Sequence, residues 1–216
     1  MNRKLLNFIA PAIILICFIV FTVMVITFDV AAIGPLGSKV GFSALNGAFS
    51  KAFTFNEFCY DLSEYFGYLA ILSVLVFFIL FVVIAIQKKS LFKVDKILWL
   101  YGFSMAAVIA FYVLFEILAI NMRPIIIEGE LEASFPSSHT LFALCSLYFG
   151  SRVVPYFIKN KSIVVVINAA LYILAFLIVI LRTVSGVHWI SDIIASLLLS
   201  LFLISAFETV KKTFNI

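Results

Sequence analysis

Residues 67–86 read GYLAILSVLVFFILFVVIAI. No charged side chain interrupts these 20 residues, and nothing in them alternates with a period of two. About 20 apolar residues of helix cross the hydrocarbon core of a bilayer. A barrel strand would be roughly half as long and would alternate. The stretch therefore predicts a transmembrane helix, one of the two structures that satisfy every backbone polar group inside lipid.

Working outward, the same kind of run recurs. Leu5 to Phe28 is apolar for 24 residues. That exceeds the ~7–15-residue core of a signal peptide, so it reads as an uncleaved first span. Further spans are predicted at about Ile97 to Ile120, from near Ser137 to Val154-Pro155, at about Ile163 to Leu181, and from about Val187 to Phe207. Between the first two spans, Asp29 to Phe66 is the longest polar stretch. Within it, Val40 to Phe53 reads as a short helix lying at the interface. Six spans take up most of the 216 residues. The predicted class is all-α: a polytopic membrane protein of six transmembrane helices, in one domain over residues 1–216.

Composition agrees with this reading. The chain is 65% hydrophobic and 12% charged, with a mean hydropathy of +1.23. Soluble domains run at about 45–50% apolar and about 25% charged. No water-soluble fold of this length hides so much apolar surface. A soluble domain, a disordered chain and a disulfide-rich secreted module are thereby excluded. Cys17 and Cys145 fall in apolar runs and only Cys59 lies in a predicted loop, so no intramolecular disulfide is expected.

The net charge of +4 is read by its placement. Eleven of the 15 Lys and Arg residues fall at the N-terminus, in the second and fourth loops and at the C-terminus. The first, third and fifth loops hold the other four: Lys39, Lys51, Arg123 and Arg182. Basic loops stay on the cytoplasmic side. Both termini are therefore expected in the cytoplasm, and the third and fifth loops outside. The partners expected are a lipid bilayer and a membrane lipid, with no nucleic acid. Trp99 and Trp189, near span ends, read as interface anchors.

Five polar residues are left unexplained by hydropathy. The two histidines of the chain, His139 and His188, stand just inside the outer ends of predicted spans. Asp192 follows His188 by four residues, on one helix face. Arg123 and Arg182 sit at outer span ends. Ionisable groups at membrane depth are costly and mark functional sites. Pro136-Ser137-Ser138-His139 opens a helix, whose free N–H groups and dipole suit a phosphate. Two guanidinium forks fit phosphate oxygens. An aspartate can hold one imidazole for nucleophilic attack, and a second, protonated imidazole can donate to the leaving oxygen. This set fits phosphoryl transfer through a phosphohistidine, with no metal or other cofactor.

These residues resemble the type-2 phosphatidic acid phosphatase superfamily, whose soluble relatives include vanadium haloperoxidases. The family pattern has three blocks: Lys-x6-Arg-Pro, Pro-Ser-Gly-His and Ser-Arg-x5-His-x3-Asp. Here they read Glu116-x6-Arg123-Pro124, Pro136-Ser137-Ser138-His139 and Leu181-Arg182-x5-His188-x3-Asp192. The motif region thus spans residues 116–192. The resemblance implies that His188 is the nucleophile, oriented by Asp192, and His139 the general acid. It implies that Arg123, Arg182, Ser137 and Ser138 bind phosphate. It also implies a metal-independent phosphatase acting on a lipid phosphate or pyrophosphate, such as phosphatidic acid, phosphatidylglycerol phosphate or undecaprenyl pyrophosphate. A bacterial plasma membrane suits a family member this compact.

Three positions depart from the pattern. Ser138 stands for glycine and Leu181 for serine. Glu116 stands for lysine, reversing a charge that would touch phosphate. A helix continuing for two turns would put Glu116 on the face of Arg123, as its partner or as a wall of the site. Glu116 leaves open a catalytically weakened lipid-binding or transport protein. The phosphohistidine leaves open transfer to a lipid alcohol instead of water. Glu128, Glu130 and Glu132 lie beside the proposed site.

Overall fold

A chain of long apolar runs separated by short polar loops can bury its backbone in lipid only as helices packed side by side. The computed structural model describes residues 6–216. The basic start at Arg3 and Lys4, and Leu5, where the first span is predicted to open, lie outside the described residues. The helices are α1 (Ile9–Thr27), α2 (Ser43–Ala52), α3 (Glu57–Gln87), α4 (Lys96–Leu118), α5 (Ser138–Phe157), α6 (Lys161–Val184) and α7 (Ile190–Thr213). Among the described residues β structure is limited to isolated bridges in the connections.

Five helices, α1, α3, α4, α6 and α7, are long and apolar enough to cross a bilayer. Their outward faces carry exposed Ile, Val, Leu and Phe, such as Ile16, Phe78 and Phe176. The chain is a multi-pass membrane protein. The fourth predicted span, α5, has 20 residues but falls short in hydropathy. Its position explains why. It packs against α3, α4, α6 and α7 and buries residues on every side, including Thr140, Ser146 and Ser151. A helix walled off from lipid can carry polar side chains that a lipid-facing one cannot. Four of the five lipid-compatible helices thus pack around α5, and α1 lies against α7.

Other boundaries also move. α3 begins at Glu57, ten residues before the predicted Gly67, because Asn56 caps it by accepting a 2.9 Å hydrogen bond from the Cys59 N–H. Arg152, counted with the fourth loop, lies within α5 and pairs with Glu208 of α7 at 2.6 Å. Trp189 is 2% exposed, and its indole donates to the Met122 carbonyl at 2.7 Å. It is a packing residue and not an interface anchor.

At one end of the bundle, the starts of α3, α5 and α7 meet the ends of α4 and α6. Lys88, Lys89, Lys93 and Lys159 lie in the connections of the opposite end, where Lys96 and Lys161 open α4 and α6. The first connection braces the crowded end. Asn46 of α2 donates to the Ser191 hydroxyl at 2.9 Å and accepts from the Ser191 N–H at 3.2 Å, which pins the start of α7. The Asn56 N–H donates to the Ser185 carbonyl at 3.0 Å. Gly186 has φ +74°, and a Cβ there would lie 2.7–2.8 Å from backbone atoms of Phe53 and Thr54. Glycine is thus required at Gly186 both by its dihedral and by the close approach. Gly186→Ala is expected to destabilise the protein by about 1–3 kcal/mol, read as a lower Tm in detergent. An unchanged Tm would show that this contact does not brace the turn.

Candidate active site

The turn braced by Gly186 carries His188. That residue precedes α7 instead of lying on it, since the helix starts at Ile190. His188 and Asp192 therefore do not share a helix face as expected. His188 Nδ1 is 3.8 Å from Asp192 Oδ2, close enough for an ion pair but beyond a hydrogen bond. Asp192 is held by other groups. Its Oδ1 accepts from Asn121 at 2.8 Å, and its Oδ2 accepts from the Trp189 N–H at 3.1 Å. Neither ring nitrogen of His188 has a hydrogen-bond partner. Burial, reinforced by the charges of Arg182 and Arg123, lowers the His188 pKa well below its ordinary value.

α4 ends at Leu118, where Ala119 takes φ +44°. Arg123 therefore leaves the helix and enters a hairpin-like loop in which Met122 bridges to Ala133. Folding back brings Glu132 to 3.0 Å from Arg123 Nη2. Nε and Nη1 of Arg123 remain buried without a partner. The expected alignment of Glu116 with Arg123 along one helix face is corrected by this break. Among the described residues Glu116 forms no ion pair, and its side chain stands on the wall of a cavity. Glu128 and Glu130 are exposed.

That cavity, of about 230 Å³, is also lined by Arg123, Ser134, Ser138, His139 and His188. An adjoining cavity of about 380 Å³ shares Ser138 and His139 and is otherwise mostly apolar, with walls from Ala70, Ile71, Val108 and Ile109. Ser137 lines neither cavity. It is fully buried, and its hydroxyl donates to Thr140 at 3.1 Å. Its carbonyl accepts from Ser196 at 2.9 Å, which ties α5 to α7. Ser137 makes no side-chain cap of α5, while Ser138 and His139 of the first turn face the cavity.

Arg182, near the end of α6, has no exposed surface. Its Nη1 donates to Ser63 Oγ at 3.0 Å and is ion-paired with Glu64 Oε1 at 2.9 Å, and its Nη2 donates to His139 Nδ1 at 2.7 Å. The Tyr60 ring lies 5.2 Å from the guanidinium carbon. Glu64 Oε2 is 3.2 Å from His139 Nε2. Arginine has only donors, so Nδ1 of His139 must accept and the ring proton sits on Nε2, facing Glu64. Sequence reasoning missed Tyr60, Ser63 and Glu64 altogether. They lie in the ten residues read as loop. Their spacing, with Gly67, is i, i+3, i+4, i+7, one helix face. Asn46 and Asn121 were missed as well. Among the described residues no three His, Cys, Asp or Glu side chains converge as metal ligands.

Two comparisons bear on family and fold. The PAP2 superfamily model matches residues 97–215, and the chain belongs to that superfamily. The fold is similar to the crystal structure of the first transmembrane PAP2 type phosphatidylglycerolphosphate phosphatase, from Bacillus subtilis. The TM-score is 0.61 at 19% identity, over 94% of this chain and 96% of the other. No curated protein sequence matches. The matched region starts after α3, so Ser63 and Glu64 fall outside it.

Glu116 on the cavity wall sets an expectation. Glu116→Lys replaces a negative charge by a positive one beside Arg123. Inorganic vanadate should then bind tighter by about tenfold or more, measured as protection against thermal unfolding. An unchanged affinity would place Glu116 outside the anion site.

Proposed function

We propose that the chain is an integral-membrane phosphatase that hydrolyses a lipid phosphate or pyrophosphate through a phosphohistidine on His188. The observation that carries this reading is a set of buried nitrogens without a protein partner. They are Nε and Nη1 of Arg123, Nε of Arg182 and both ring nitrogens of His188. Buried donors left unpaired are costly; a phosphoryl group supplies acceptors for the guanidinium N–H groups, and the ring nitrogen of His188 that carries no proton keeps its lone pair for attack. Family membership and the apolar cavity beside His139 support a lipid substrate. An acyl or prenyl chain fits walls of Ala, Ile and Val, and the phosphate fits the polar cavity.

In the proposed reaction, His188 Nε2 attacks phosphorus while Asp192 stabilises the ring cation through the Nδ1 side. The bond from phosphorus to the leaving oxygen breaks, and His139 gives that oxygen a proton. Water, deprotonated by His139, then attacks the phosphohistidine and releases phosphate. Arg123, Arg182 and the first-turn N–H groups at Ser138 meet the charge on the phosphoryl oxygens, a task for oriented dipoles and cations. Ser137 contributes by fixing the start of α5. No metal is required for these steps. The crowded end of the bundle is opposite the lysine-rich loops, so the positive-inside rule supports a site on the outer face of a plasma membrane, six spans, and cytoplasmic termini.

Purified protein in detergent is expected to release phosphate from at least one of phosphatidic acid, phosphatidylglycerol phosphate and undecaprenyl pyrophosphate. EDTA is expected to leave the rate unchanged. His188→Ala should lose at least about a thousandfold in rate, and full activity in that variant would overturn the mechanism. Labelled lipid in place of free phosphate would assign transfer to an alcohol, and no turnover with no vanadate binding would assign a lipid-binding protein.

The lowered pKa of His188 has a kinetic sign. Its neutral form attacks, and that form persists below the ordinary histidine value of about 6.5. The acid limb of kcat/KM is therefore expected below pH 6.5. A limb above that value would mean that His188 is not held neutral.

A further inference from the structure

The contact between Glu64, His139 and Arg182 joins three elements. Glu64 comes from α3, His139 from the first turn of α5 and Arg182 from the last turns of α6. Nothing in the three motif blocks assigns a role to α3. Yet one face of it is shaped to this pair. Ser63 and Glu64 take the guanidinium, and Tyr60 lies against it. One turn on, a Cβ at Gly67 would stand 3.3 Å from His139 Cδ2, tighter than ordinary contact. The absence of a side chain at Gly67 lets the imidazole lie close against α3.

The hydrogen bonds define a starting state. The single ring proton of His139 is on Nε2 and is given to Glu64, and the Nδ1 lone pair is occupied by Arg182. In that state His139 has no proton to give a leaving oxygen except the one Glu64 holds. It becomes an acid only if Arg182 releases Nδ1. A phosphoryl group is the ligand that draws a guanidinium away, through paired hydrogen bonds.

We propose that Glu64 is the positioning residue of His139: it keeps the Nε2 proton, and its carboxylate stabilises the imidazolium once an incoming phosphoryl group takes Arg182 from Nδ1. This rests on the phosphatase reading above. The proton balance closes. Nδ1, vacated by Arg182, takes a proton from solvent. That proton passes to the leaving oxygen as its bond to phosphorus breaks. His139 returns to the Nε2–H tautomer, with Nδ1 ready to accept a proton from the attacking water. Glu64 accepts from Nε2 throughout and never leaves the ring. The site then holds two carboxylate–imidazole pairs, Asp192 with the nucleophile and Glu64 with the acid.

Other charges face His139 as well. Glu116 and Tyr112 come from α4, Arg123 and Glu132 from the loop that follows, His188 from the turn before α7, and Tyr68 from α3. Asp192 of α7 lies beyond His188. Among the described residues Glu64 alone of the carboxylates is within hydrogen-bond distance of the His139 ring.

The test is a pH profile of kcat for wild type, Glu64→Gln and Glu64→Asp with the lipid phosphate that the wild type turns over best. Glutamine keeps an acceptor for Nε2–H but loses the charge. The basic limb, which reports the His139 imidazolium, is expected to move about one pH unit or more toward acid in Glu64→Gln. At pH 7 kcat should fall by up to about tenfold for each unit of that shift, with KM changed less than about threefold, and Glu64→Asp should return the limb toward the wild-type position. A limb unmoved in folded Glu64→Gln overturns the proposal, as does an equal shift in both variants. If Glu64→Gln does not fold, histidine-labelled wild type decides. The chain has two histidines, so His188→Ala assigns the two 15N signal sets. His139 should be the Nε2–H tautomer in the free protein and the imidazolium with vanadate bound at pH 7. A ring that stays neutral overturns the proposal. An active wild type, an inactive His188→Ala and an unmoved limb would sink the role of Glu64 alone. An active His188→Ala would sink the phosphohistidine reading itself.

Discussion

A guanidinium with no exposed surface needs partners for its charge, and in this bundle Arg182 finds them on two other helices. Desolvating such a group costs several kcal/mol unless a carboxylate and further acceptors surround it. Glu64, Ser63 and His139 provide them. Removing one member of a buried pair costs about 3–5 kcal/mol because the other charge is stranded. The pair therefore fixes how α3, α5 and α6 meet. It also fixes the tautomer of His139, since a donor-only guanidinium leaves the facing nitrogen no choice.

The other elements of the crowded end serve the same placement. The first connection, through Asn46 and Asn56, holds the start of α7 and the turn that carries His188. Asn121 and the Trp189 N–H hold Asp192 from two sides. The hairpin after α4 returns Glu132 to Arg123, which balances one arginine while leaving two of its nitrogens unpaired. The result is a polar cavity whose open nitrogens await acceptors, beside an apolar one suited to a hydrocarbon chain.

Much of this was legible in the sequence, for physical reasons. Lipid exposure demands continuous apolar faces, so α1, α3, α4, α6 and α7 announce themselves. Charge is scarce, so His139, His188, Arg123, Arg182 and Asp192 stand out against the apolar background. Reading failed where the local rule gave way to packing. α5 is less apolar than the others because most of it packs against four neighbouring helices. α4 stops at Leu118 through a single left-handed residue, Ala119, so helix periodicity could not relate Glu116 to Arg123. His188 precedes its helix, so the i, i+4 spacing to Asp192 did not become a shared face. Glu64 was lost because hydropathy begins the second span at Gly67, whereas Asn56 begins the helix. A carboxylate three residues ahead of a long apolar run, with Tyr60 and Ser63 on the same face, was the signal available.

The central claim is that His188 carries the phosphoryl group between donor and water. Trapping it is the most direct measurement. Wild-type protein is mixed briefly with a lipid phosphate labelled at phosphorus, denatured in alkali and mapped for label. The account predicts a base-stable, acid-labile label on the peptide containing His188, absent when His188 is alanine. Label that persists in His188→Ala, or turnover with no labelled protein at any time or pH, would contradict it.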